Sequence, residues 1–125
     1  MLGHQVIIDL YDCDSSILDT LDRVESAVYA LADCIGANVL QVFTHRFEPQ
    51  GVSCTAQISA SHIAIHTWPE SLFAAIDVFS CTTRINATDI IRLLQQTFRA
   101  GNAVFNEAFR GAGLDSQFFK EDSDA

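Results

Sequence analysis

The stretch from residue 38 to residue 80 constrains the fold most, because strand-like runs follow one another there with only short turns between them. Residues 38–47, 52–60, 62–68 and 72–80 are rich in β-branched, aromatic and aliphatic side chains. Glu48-Pro49-Gln50-Gly51 supplies proline and glycine punctuation between the first two. Strands joined by so few residues must run antiparallel, since a parallel pair needs a crossover of about a dozen residues.

The flanking segments complete the pattern. Residues 4–11 read as a first strand, with His4 a strand-start surface residue. Asp12, Asp14, Ser15 and Ser16 carry turn and cap chemistry, and Asp14 or Ser15 can accept bonds from free N–H groups at a helix start. One helix is expected from there to Ala32–Ile35. Ile17, Leu21, Val24, Val28, Leu31 and Ile35 form its apolar stripe, with Asp19, Asp22, Arg23 and Glu25 opposite and Gly36 as the stop. Asn86 or Thr88 caps a second helix through about Arg99, with Ile90, Ile91, Leu94 and Phe98 inward and Gly101 at its end. Residues 103–109 make a last strand. The expected fold is α+β: a two-layer α/β sandwich, an antiparallel sheet with two helices on one face. Val39, Leu40, Val42 and Phe43 place apolar residues on both parities of one strand, which argues that the second face is covered in an oligomer.

With 125 residues, 49% of them hydrophobic, the chain holds enough apolar side chain for one core, here residues 1–114. Residues 115–125 are acidic and aperiodic and read as a frayed tail. The net charge of −9 argues against nucleic acid and anionic membranes as partners. No apolar run reaches the length of a membrane span, and Asp9 interrupts the first apolar run, so neither a membrane segment nor a signal peptide is expected. Cys13, Cys34, Cys54 and Cys81 lack metal-type spacing and read as free thiols of a cytoplasmic protein, with no metal site expected.

The chemistry concentrates in Ala60-Ser61-His62-Ile63-Ala64-Ile65-His66-Thr67-Trp68-Pro69-Glu70. Two histidines, a serine, the only tryptophan and a carboxylate fall within these eleven residues. Reactive groups on half-buried backbone suit a built site. The same alternation also fits an ordinary half-buried strand.

Three runs together carry a resemblance. His45-Arg46-Phe47-Glu48-Pro49-Gln50-Gly51-Val52-Ser53 leads into Ser61-His62-Ile63-Ala64-Ile65-His66-Thr67-Trp68-Pro69-Glu70, and Ala74-Ala75-Ile76-Asp77-Val78-Phe79-Ser80-Cys81 follows. Across roughly residues 2–82 the chain resembles the small prokaryotic S-adenosylmethionine decarboxylase proenzymes. The resemblance implies cleavage between Ala60 and Ser61 into residues 1–60 and 61–125, conversion of Ser61 to a covalent pyruvoyl group, and a homodimer of cleaved protomers. It implies that His66 is the processing base, that Ser53 assists by hydrogen bonding, and that Cys81 is the general acid that reprotonates the substrate carbon. Cys54 is the rival for that last role. Phe47 would stack on adenine, Glu70 would accept from ribose hydroxyls, and His62 would line the site. The expected activity is S-adenosylmethionine decarboxylation for polyamine (spermidine) synthesis.

Each role has a chemical reason. Decarboxylation leaves a carbanion that no side chain can absorb, and a ketone can. The only lysine, Lys120, lies in the tail, so pyridoxal phosphate has no obvious anchor. Imidazole is a competent base near neutral pH, and a thiol proton is labile enough for a general acid. Parity raises a difficulty: positions 61 and 66 of a regular strand point to opposite faces, and a bend or bulge at Ser61 is expected to resolve it.

The chain departs from the family pattern in three places. Ala60 stands where glutamate usually precedes the cleaved serine, Gln50 where an aromatic is usual, and Glu48 where an aliphatic is usual. Two alternatives follow. Glu48 could hold a substrate cation, giving an arginine or ornithine decarboxylase of the same fold. An unprocessed homologue could act as a binding protein.

Overall fold

A computed structural model describes residues 2–82 and 84–111; the expected tail, 115–125, lies outside the described residues. In chain order the elements are β1 (Gly3–Tyr11), α1 (Ser15–Leu18), α2 (Leu21–Cys34), β2 (Val39–Arg46), β3 (Val52–Ile58), β4 (Ser61–Trp68), a 3-10 turn (Pro69–Ser71), β5 (Phe73–Ser80), α3 (Ala87–Phe98) and β6 (Asn102–Arg110). The strands form one sheet in the order β2-β3-β4-β5-β1-β6, and every pairing is antiparallel. Short turns force the β2-β3-β4-β5 meander. The two segments containing helices deliver β1 and β6 to its far side.

The helices cover one face. Along β1, His4, Val6, Ile8 and Leu10 are buried; along β4, Ile63, Ile65 and Thr67; along β5, Ala74, Ile76, Val78 and Ser80. This period of two meets the period of α2, which buries Val24, Ala27, Val28, Leu31 and Ala32, and of α3, which buries Ile90, Leu94 and Phe98. Burying such large aliphatic and aromatic side chains is the main source of stability. Asn86 is the cap of α3, as expected, and accepts from Asp89 N–H at 3.1 Å.

Two expectations about the helices change. The first helix is interrupted at Asp19-Thr20, where Thr20 takes an extended conformation as the N-cap of α2. Apolar spacing cannot reveal this break, because its cause is tertiary. The Asp19 carboxylate accepts from Gly51 N–H at 3.0 Å and from Arg46 at 3.1 Å, and Arg46 also donates to the Asp19 carbonyl. The end of α3 is Arg99, in the left-handed region at φ 53°, not Gly101. Gly101 is needed for a different reason: a Cβ there would come within 3.1 Å of Asp12 Cβ, where β6 begins beside the end of β1.

Among the described residues no layer covers the second face of the sheet. Phe43 is 73% exposed, Val104 53% and Ile7 46% on that face. Leu40, also exposed, is the extra residue where the β2–β3 register shifts between Val39 and Gln41.

Candidate active site

The site residues gather at two places on β4. Toward its C-terminal end, Ser53 and His66 are direct partners across the β3–β4 ladder, both on the open face. The Ser53 hydroxyl and His66 Nδ1 share a hydrogen bond of 2.7 Å. Around them Phe47, Gly51, Trp68 and Glu70 help line a hollow of about 240 Å³. Four of the expected residues, Phe47, Ser53, His66 and Glu70, therefore stand together.

Gly51, expected in a turn, and Asp19, expected on the solvent side of a helix, both help to frame this hollow. Gly51 has φ +105°, and a Cβ there would lie 3.2 Å from the Thr67 carbonyl. Phe47 N–H donates to the Gly51 carbonyl at 2.8 Å and closes the turn. Asp19 ties the same glycine to the α1–α2 junction. Buried Thr67 donates to the Leu18 carbonyl at 2.8 Å and accepts from Val52 N–H at 2.9 Å. A buried hydroxyl with both roles filled fixes its strand firmly. Glu48 is exposed in the turn and does not line the hollow.

Ser61 is at the other end of β4. Ser59-Ala60 form a tight turn, and pairing resumes at once with Ile58 opposite Ser61 and Ser61 opposite Ser80. Of the bend or bulge expected at Ser61, the bulge is absent, since pairing is continuous there. The distortion is confined to its own backbone, at φ 156°. The next residue beyond Ser80 is Cys81, exposed, whose N–H donates to the carbonyl of Ala60 at 2.7 Å. The carbonyl beside Ser61 is thus polarised by a hydrogen bond before any chemistry begins.

The two groups do not meet within one chain. Ser61 and His66 are five positions apart on β4, which is about 16 Å at about 3.3 Å per residue, and they keep opposite parity. Cys54, the rival of Cys81, is fully buried on the helix face, where burial pushes its thiol pKa up and Thr44 donates to its sulfur at 3.4 Å. It cannot face the open side.

His62 is on the open face, with Nε2 3.3 Å from Asp77, which in turn accepts from Gln5 at 2.8 Å. It borders a second, shallower hollow of about 280 Å³ with Phe43 and Gln57. His4 is not a surface residue: it is 1% exposed and shares the buried parity of Val6, Ile8 and Leu10. That parity was the signal in the sequence that could have placed it.

The family profile described as S-adenosylmethionine decarboxylase matches residues 4–111. The chain belongs to that family. Among relatives of the S-adenosylmethionine decarboxylase family, the S-adenosylmethionine decarboxylase proenzyme of Thermoanaerobacter pseudethanolicus is 43% identical over 110 residues, covering 88% of this chain and 89% of that protein. The proenzyme of Moorella thermoacetica is likewise 43% identical, over 88% of each chain. The crystal structure of the adenosylmethionine decarboxylase from Aquifex aeolicus has the same fold, with a TM-score of 0.81 at 23% identity over 94% of this chain and 98% of that one. Among the described residues no helix is long and apolar enough to cross a membrane.

Proposed function

We propose that this chain is a self-processing, pyruvoyl-dependent S-adenosylmethionine decarboxylase that acts in the cytoplasm as a homodimer and feeds polyamine synthesis. The observation that carries the reading is the 2.7 Å bond from Cys81 N–H to the Ala60 carbonyl, one residue before Ser61.

In the cleavage step, Ser61 Oγ attacks the carbonyl carbon of Ala60. Negative charge grows on the carbonyl oxygen, where the Cys81 amide already points, and a positioned donor of this kind stabilises an oxyanion. The Ala60–Ser61 C–N bond breaks, the amine takes a proton, and an ester joins the two parts. A base then removes the Ser61 Cα proton, and the Cβ–Oγ bond breaks to release Ala60 as a carboxylate. Addition of water and loss of ammonia leave a pyruvoyl group on residues 61–125. No oxidant is required. Ala60 contributes only its backbone carbonyl, so the absence of the usual glutamate leaves every atom of this step in place.

The surroundings fit such a group. Ser61 begins β4 beside Ser80 and Cys81, and among the described residues no lysine competes as a carbonyl carrier. Once present, the pyruvoyl carbonyl supplies the electron sink that decarboxylation needs. Around it, Cys81 delivers a proton to the substrate carbon, Phe47 stacks on the purine, and Glu70 accepts from ribose hydroxyls.

The roughly 16 Å between Ser61 and His66 supports a dimer with shared sites. A two-fold axis crossing β4 at right angles near its middle, with the open faces together and about 10 Å apart as packed sheets are, would place the Ser61 end of one copy over the Ser53–His66 end of the other. It would also cover Ile7, Phe43 and Val104. Cleavage frees the amino side of residue 61, and a chain end is not bound by strand parity. Glu48 stays exposed outside the hollow, so the arginine and ornithine reading loses its cation partner.

The test is carbon dioxide release from S-adenosylmethionine, arginine and ornithine by cleaved protein. Release from S-adenosylmethionine alone is expected. Release from arginine or ornithine alone, abolished by Glu48→Leu, would overturn the nucleoside roles of Phe47 and Glu70.

A further inference from the structure

His4 satisfies both ring nitrogens in the core. Ile85 N–H donates to Nδ1 at 2.9 Å, so the ring proton sits on Nε2, which lies 3.0 Å from a Glu107 carboxylate oxygen. With both nitrogens engaged, His4 has none free to act as a base. Its use must lie in what it holds. Ile85 belongs to the connection from β5 to α3, the segment that starts at Cys81. The ring of Phe109 stacks on His4 at 4.6 Å, and the Arg84 guanidinium lies 5.1 Å over that same Phe109 ring. The second half of the segment is therefore clamped by β1 and β6, while its first residue is tied to the Ala60 carbonyl.

That first tie runs through the residue whose bond to Ser61 breaks on processing. The clamp at His4 does not. We infer that His4, oriented by Glu107, is a positioning residue that keeps Cys81 directed at the reacting carbon after cleavage; the inference rests on the decarboxylase reading for its catalytic consequence. A segment tethered at one end only would let the thiol wander, so protonation would fall more often on the wrong carbon.

The experiment compares wild type with His4→Leu, which fills the space without an acceptor, and His4→Asn, whose Oδ1 can stand where Nδ1 stands. Three quantities are read: hydrogen exchange at the Ile85 amide, the rate of Cys81 alkylation, and the alanyl N-termini formed per turnover in place of pyruvoyl. Losing a buried acceptor is expected to speed Ile85 exchange about tenfold in His4→Leu. Cys81 alkylation should change with it, and alanyl termini should rise about tenfold, with KM within about twofold of wild type. His4→Asn should recover most of each. Glu107→Ala, at a partly exposed position, should shift all three in the same direction and serves if His4→Leu fails to fold.

Equal partition and equal exchange in wild type, His4→Leu and Glu107→Ala would overturn the role. Asn behaving like Leu would also overturn it, since packing alone would then be at work. If the wild-type chain never cleaves, the function reading fails, and exchange and alkylation still decide whether His4 clamps the segment.

Discussion

Ser53 and His66 face each other across two neighbouring strands with 2.7 Å between hydroxyl and imidazole, yet the serine they would process is at the far end of His66's own strand. A single copy holds both halves of the chemistry and brings them together nowhere. The first predictions follow from that separation.

Purified protein should migrate on denaturing gels as residues 1–60 and a blocked fragment of residues 61–125, while Ser61→Ala stays whole. The motive is the polarised Ala60 carbonyl. A single full-length mass after long incubation of the wild type would sink the enzyme reading.

His66→Ala should slow cleavage by about a hundredfold, the scale of a lost general base, and Ser53→Ala by about tenfold. Co-expression should then distinguish one-chain from two-chain sites. Chains carrying His66→Ala should be cleaved when paired with Ser61→Ala chains, because the hybrid holds one complete site. An absence of rescue in a proven hybrid dimer would show that the site is made within one chain.

Cys81→Ala should still cleave, since its backbone N–H remains, but lose at least about a hundredfold in turnover. The fragment 61–125 should accumulate with an alanyl end. Normal turnover would move the acid elsewhere.

Asp19→Ala removes the acceptor of Gly51 N–H and the partner of Arg46. Expected are a loss of about 1–3 kcal/mol in stability and a raised KM, with cleavage near the wild-type rate. Chemical denaturation and steady-state kinetics measure the two effects.

Burial and the nearby Asp12 charge push the Cys13 thiol up to about 11 from 9.0. The folded state then binds more protons than the unfolded one between those values, so stability should fall as pH rises from about 9 toward 11 and level off beyond. Urea midpoints across that range for wild type and Cys13→Ala isolate the effect.

The sheet and the helical layer on its one face were legible because their periods are long and their punctuation is strong. The alternation in β4 and β5 and the cap at Asn86 needed no tertiary knowledge. The break at Asp19-Thr20 was hidden, since its cause is a carboxylate reaching Gly51 and Arg46 across the fold. Phe47, Ser53, His66 and Glu70 were found through resemblance, and their convergence followed from a simple meander. The distance from Ser61 to His66 was half visible as a parity conflict. A bend or bulge was the expected remedy; continuous pairing at Ile58–Ser61 excludes the bulge, and the distortion stays in the Ser61 backbone. His4 was misplaced because a polar residue at a strand start reads as solvated, although it shares the buried parity of Val6, Ile8 and Leu10.

The order β2-β3-β4-β5-β1-β6 would give the proposed cut at Ala60–Ser61 an unusual outcome. The amino-terminal piece owns β2, β3 and β1, and the carboxy-terminal piece owns β4, β5 and β6. The pieces alternate across the sheet and meet along three seams, β3 against β4, β5 against β1, and β1 against β6. Wedged between β5 and β6, β1 works as a dovetail. Halves severed at that bond could part only by unzipping three of the five strand pairings at once, so the proposed cut would leave the protein one body.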